Sequence, residues 1–106
     1  MITFDDWQKI ELKTAEIISA ENHENADRLL VVKVRVGEEE RQLVAGIRGH
    51  YEPEQLVGKT VIVLANLEPA TIRGVESQGM ILAIKDGDRM AILTPDGAVA
   101  SGLRVT

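Results

Sequence analysis

The chain has no cysteine among its 106 residues. This excludes a disulfide framework and any thiolate-held metal, and it fits a reducing compartment. Aromatic residues are almost as scarce, with Phe4, Trp7 and Tyr51 making up 3% of the chain. Proteins that bind single strands without sequence preference stack successive bases on aromatic side chains, so that class of function is disfavoured. No apolar stretch approaches the roughly 20 residues that cross a bilayer. The opening residues 1–6 have neither a basic start nor an apolar run, so they do not read as a signal peptide. A soluble, cytoplasmic protein with no membrane partner is expected. Positive charge is in deficit too, with 12 Lys and Arg against 17 Asp and Glu and a net charge of −5. Such a chain is repelled by phosphate at long range, so any nucleic-acid contact needs a local basic patch. Catalytic signatures are missing. His23 and His50 lie far apart, and neither a nucleophile elbow nor a phosphate-cradling glycine loop occurs. No enzymatic activity, cofactor or metal is expected.

What is present reads as short strands separated by turns. Thr3 to Ile10 predicts a short helix, with Thr3 and Asp6 placed for a capping box. Phe4, Trp7 and Ile10 share one helical face and predict packing against a core. Leu12 to Ala20 predicts the first strand, and residues 22–27 a turn in which His23 is solvated. Leu29 to Val36 is the clearest strand. Its two-residue period puts Leu30, Val32, Val34 and Val36 on one face, and Lys33 and Arg35 on the other. Glu38, Glu39 and Glu40 fit a solvated turn that blunts a sheet edge, and Arg41 to Ile47 returns as the third strand. Pro53 and Gly58 bracket one helical turn. Further strands are predicted over 59–67, 78–85 and 90–94, with a polar loop over 66–78.

This pattern predicts an all-β fold in one domain, residues 1–106. The expected architecture is a five-stranded Greek-key OB-fold barrel with a short N-terminal helix and extra C-terminal strands. The runs 61–65 and 80–84 are apolar at every position, whereas a barrel strand needs only one apolar face. A homodimer partner or the N-terminal helix would supply the missing cover.

With catalysis disfavoured, binding is the better class. The outer surface of strands two and three is the usual nucleic-acid face of an OB barrel. Lys33 and Arg35 point outward there, and Arg28 opens the same strand. Arg48 follows strand three. The loop presents Asn66, Arg73, Ser77 and Gln78 from a rigid base.

Five segments carry a resemblance when taken together and in order. They are Asn25-Ala26-Asp27-Arg28-Leu29-Leu30, Val44-Ala45-Gly46-Ile47, residues 53–59 (Pro53 to Lys59), Ala65-Asn66-Leu67-Glu68-Pro69, and Gly74-Val75-Glu76-Ser77-Gln78-Gly79-Met80. Over nearly its whole length the chain resembles the tRNA-binding domain of methionyl-tRNA synthetases, found there as a C-terminal domain or a separate β-subunit. The same domain occurs in free-standing structure-specific tRNA-binding proteins and in endothelial-monocyte-activating-polypeptide-like factors. The resemblance implies an OB-fold homodimer that grips the outer corner of tRNA without reading its sequence, with methionyl-tRNA synthetase as a possible partner. It implies tRNA contact at Arg28, Ser77 and Met80, and it matches Asn66 and Arg73 to family loop positions. Two rivals stay open: an export-related chaperone of the same fold that binds extended peptides, and an interaction module that docks a synthetase.

The chain departs from the family pattern around Pro69. Many members carry Lys before this proline and a basic pair, or Ala-Lys, after it; here the residues are Glu68, Ala70 and Thr71. Every missing cation–phosphate pair flattens the salt dependence of log affinity by roughly 0.7–0.9, so weaker tRNA binding than in typical members is expected. Combining Glu68→Lys with Thr71→Lys should tighten tRNA binding in a filter assay. An unchanged affinity would remove this loop from the phosphate-binding surface.

Overall fold

The structure, a computed structural model, describes residues 1–106. Strand β2 (Leu30–Val36) follows its sequence period: Leu30, Val32 and Val34 are fully buried, while Lys33 and Arg35 face outward. It pairs antiparallel with β1 (Leu12–Asn22) and with β3 (Glu39–Ala45). Strand β1 is long enough to hold two partners. Residues 12–16 pair with β4 (Thr60–Leu64), and residues 16–22 pair with β2 across a bulge between Ile17 and Ser19. A bulge raises local twist, and here it curls the sheet. Strand β4 also pairs with β7 (Met80–Ile81), giving the order β3-β2-β1-β4-β7. This is the expected OB-type arrangement.

The two edges of the curled sheet meet through one backbone bond and several side-chain bonds. Gln78 N–H donates to the Gln42 carbonyl at 2.8 Å, and Gln42 N–H donates to Gln78 Oε1 at 3.0 Å. Gln42 Nε2 reaches the Glu76 carbonyl at 2.9 Å. Val44 N–H donates to Ser77 Oγ at 2.9 Å, and the Arg41 guanidinium donates to the Ala65 carbonyl. The chain passes so close here that a Cβ on Gly79 would lie 2.7 Å from the Leu64 carbonyl oxygen. Inside, Ile17, Leu43, Val61 and Val63 form the core, and Leu56 from the short helix α2 (Pro53–Leu56) is fully buried among them.

Several expectations need correction. Helix α1 (Phe4–Gln8) has the capping box foreseen for Thr3 and Asp6, but it buries no side chain. Phe4 is 69% exposed and Trp7 only half-buried. Polar ties hold this segment instead. Asn66 Nδ2 donates to the Lys9 carbonyl at 2.6 Å, Glu11 N–H donates to Asn66 Oδ1 at 2.9 Å, and Arg104 donates to the Gln8 carbonyl at 2.7 Å.

His23 is not solvated; it is 3% exposed. Asn25 N–H donates to its Nδ1 at 3.0 Å, which leaves Nε2–H facing the Ile72 carbonyl at 3.3 Å. Both ring nitrogens are satisfied, so burial carries no penalty for unpaired polar atoms.

The segment 66–78 is not a plain loop. It folds into a hairpin of β5 (Ala70–Ile72) and β6 (Val75–Ser77) around Arg73 and Gly74, whose φ angles are 52° and 88°. Positive φ at both central residues matches the twist of paired strands. The run 80–84 is likewise not one strand. It breaks at Leu82, and β8 (Ala83–Asp86) pairs with β9 (Arg89–Ile92) as a separate hairpin. Leu82 N–H donates to the Ile62 carbonyl at 2.9 Å, so the β4–β7 ladder continues one residue past Ile81 before the chain enters β8.

The C-terminal segment locks the opposite rim. Gly102 N–H donates to the Thr14 carbonyl at 2.7 Å, and Gly37 N–H donates to Ser101 Oγ at 3.2 Å. A Cβ on Gly102 would stand 2.6 Å from Gly37 Cα. Gly102→Ala should therefore cost about 1–3 kcal/mol, the range for overpacking a tight contact, read as a lower urea midpoint. An unchanged midpoint would mean that this rim yields freely.

Candidate nucleic-acid interface

Four of the cations are spent on carboxylates. Lys9 pairs with Asp6, Lys13 with Glu11, Arg35 with Glu16 at 2.8 Å, and Arg41 with Glu39 at 3.1 Å. The Arg41 guanidinium hydrogen-bonds Glu39 and holds its carboxyl below the usual range, so that acid remains charged. The pairing bears directly on the outer wall of β1–β3. Lys33 stands between Ser19 and Gln42 and is free. Arg35 stands between Glu16 and Glu40, and Glu21 lies opposite Val31. An exposed ion pair contributes only about 0.2–1 kcal/mol, but it cancels the field of Arg35 at a distance. The wall presents two cations among three acids, so it is not the positive surface that its strand pattern implied.

Four of the eight cations without an ion pair gather elsewhere, around the turn from Asn22 to Leu29, which itself carries Glu24 and Asp27. The Arg48 guanidinium donates to the carbonyls of His23 at 3.2 Å and Ala26 at 3.0 Å. Arg73, at the tip of the β5–β6 hairpin, donates to the carbonyl of Asn25 at 3.1 Å. Arg28 follows on the same turn, and its carbonyl accepts from Arg48 N–H at 3.3 Å. Arg28, Arg48, His50 and Lys85 line a cleft of about 470 Å³, with Asp88 as its one acid. Arg28, Arg48, Arg73 and Lys85 form no ion pair. At about 3.3 Å per residue, Lys33 lies roughly 10 Å and Arg35 roughly 17 Å along β2 from its first residue, Leu30, whereas Arg28 stands in the turn before it. Of the cations expected in the site, the fold ties Arg73 to Asn25 on the turn that carries Arg28, though Arg73 does not line the cleft, and it leaves Lys33 and Arg35 apart on β2.

The remaining expected residues take different places. Asn66 is exposed, yet both ends of its amide bind the backbone of residues 9–11. Ser77 is 3% exposed; its hydroxyl accepts from Val44 N–H and donates to the Gly79 carbonyl at 2.9 Å. Its visible role is to position the β6–β7 corner. Met80 is 46% exposed and lines an apolar groove of about 400 Å³ with Ile47, Leu67, Ile72 and Met90. Lys85 and His50 join the cleft only through the fold. No local spacing in the sequence marks them.

Residues 12–104 match the family described as "Putative tRNA binding domain". The chain belongs to this family. It is 53% identical over 104 residues to the methionine–tRNA ligase of Thermococcus kodakarensis, covering 98% of this chain and 14% of that protein. The chain thus spans about a seventh of the length of this curated relative. Among solved structures, a MetRS related protein from Pyrococcus horikoshii superposes with a TM-score of 0.92 at 33% identity, covering 100% of this chain and 98% of that one. The CsaA chaperone protein of Picrophilus torridus superposes with a TM-score of 0.92 at 27% identity, covering 100% of both chains.

The buried hydroxyl of Ser77 yields a prediction. Ser77→Ala strands Val44 N–H, and a buried donor left unpaired costs about 1–3 kcal/mol. Urea unfolding should show that loss in the purified variant. A midpoint equal to wild type would free Ser77 from the closure of the barrel.

Proposed function

We propose that this domain binds tRNA by shape and backbone, without reading sequence, and acts by binding rather than by catalysis. One observation carries the reading: in a chain of net charge −5, four cations free of ion pairs gather at one turn and the cleft beside it, within a fold of the tRNA-binding domain family. A polyanion is repelled by most of this surface and attracted at that turn. The scarce aromatics support a folded RNA over a flexible single strand. Tyr51, for one, is half-buried, and its hydroxyl accepts from Ile92 N–H at 3.1 Å. Arg28, Arg73 and Lys85 act as direct phosphate contacts, Met80 flanks them, Lys33 offers a separate contact farther along β2, and Ser77 and Asn66 hold the surface in place. Arg35 contributes little while Glu16 holds it.

Residues 1–106 act as one unit, in the cytoplasm, either free-standing or as part of a methionyl-tRNA synthetase. The relative from Thermococcus kodakarensis supports the synthetase setting. A homodimer fits the apolar residues left outside. Phe4, Ile10 and Leu103 are exposed on segments bonded to one another, since Arg104 donates to the carbonyls of Gln8 and Ile10.

The test is a gel-shift titration with bulk tRNA and with duplex DNA at two salt concentrations. Tighter binding to tRNA is expected, with a steep fall as salt rises. Arg28→Ala and Lys85→Ala should each reduce the salt slope by roughly 0.7–0.9, and Arg35→Ala should leave it nearly unchanged. Absence of any tRNA complex would overturn the reading in favour of a module that docks protein.

A further inference from the structure

The cationic cleft and the apolar groove are neighbours. Gly46 and Met90 line both. Their chemistry differs sharply. Of the 15 residues around the groove 11 are hydrophobic, whereas the cleft has one hydrophobic residue among eight. The two meet at Gly46, which brings no side chain, and at Met90, which borders both.

We infer that cleft and groove together form a bipartite site for one unstacked nucleotide of RNA. Its phosphate lies against Arg28, Arg48 and Lys85, and its base enters the groove between Met80 and Met90. This rests on the RNA-binding reading and adds to it a pocket for a single base.

The ligand class follows from the two halves. A nucleotide is itself an anion joined to a flat ring with apolar faces. A groove of about 400 Å³ has ample room for one such ring. Two thioethers suit the task, because methionine is polarisable and adapts to the shape of a ring. Stacking without aromatics also leaves base identity open, in keeping with binding that does not read sequence. The cation half is preorganised: Arg48 is already held by two carbonyls, so little side-chain freedom is given up when phosphate arrives. A folded RNA offers unstacked nucleotides in loops and at ends.

An apolar peptide would fill the groove but leave the adjoining cations without partners. A duplex backbone would use the cations and leave the groove empty. A nucleotide uses both.

The test compares two end-labelled ribotetranucleotides by fluorescence anisotropy, one intact and one with an abasic second position. The intact oligomer should bind about tenfold more tightly, within the range that two thioether–ring contacts supply. Gly46→Leu should abolish that advantage. The position accepts a side chain, since a new Cβ meets only Leu29 Cδ2, at 3.9 Å. Met80→Ala, on an exposed side chain, should shrink the advantage as well. Arg28→Ala should weaken both oligomers alike.

Equal affinity for the two oligomers overturns the inference, as does a base advantage that survives both groove substitutions. An extended apolar peptide that occupies the groove while the oligomer stays bound overturns it too, and assigns the groove to peptide. In each of these cases intact tRNA binding by wild-type protein would leave the broader reading standing. Loss of tRNA binding by the wild type would overturn both.

Discussion

The closure of the barrel rests on a few hydrogen bonds at one seam. Where β3 meets the β6–β7 corner, Gln42 and Gln78 bond one another's backbone, and Ser77 bridges Val44 and Gly79. Such a seam is more directional than apolar packing, because each bond needs its own distance and angle. It also sets what lies beyond it. Strand β6 ends at Ser77, so the seam fixes where the β5–β6 hairpin leaves the barrel. That hairpin carries Arg73 at its tip and Ile72 on the groove wall. The seam therefore places one cation and one side of the apolar groove together.

The turn before β2 is the other organising feature. His23 folds inward and ties the turn to Ile72 on the hairpin. With the ring inside, the carbonyls of His23, Asn25 and Ala26 are free to accept from Arg48 and Arg73. Three peptide oxygens thus draw two guanidinium groups to one turn. Mutual repulsion of those charges is offset by the carbonyl dipoles, which accept charge-assisted hydrogen bonds. Polar accounting within the turn creates the electrostatics of the site.

Local pattern made much of the fold legible. The alternation in Leu30–Val36, the capping pair Thr3 and Asp6, and the bracketing of α2 by Pro53 and Gly58 all correspond to the structure. Each depends on residues within one turn or one strand. The failures share the opposite cause. Burial of His23 depends on a carbonyl 49 residues away. Neutralisation of Arg35 by Glu16 depends on a register altered by the bulge between Ile17 and Ser19. The strand pattern showed that Lys33 and Arg35 face outward but not what stands beside them. Arg28 and Arg73 were visible as candidates through family motifs, whereas Lys85 reaches the cleft only because β8 and β9 fold back as a hairpin. Helix α1 misled for a simpler reason. Its three large apolar residues fit a buried stripe, yet five residues span little more than one turn and expose Phe4.

The uneven distribution of charge has a consequence for motion. An acidic body with four of its eight unpaired cations collected at one turn and its cleft carries a permanent electric dipole. In the field of a polyanion it experiences a torque that turns the turn forward before contact, which narrows the orientational search. Ions in solution weaken that torque beyond a Debye length of about 8 Å at physiological salt. Added salt therefore slows productive encounters by letting the domain arrive misaligned, even while the docked arrangement keeps the same contacts.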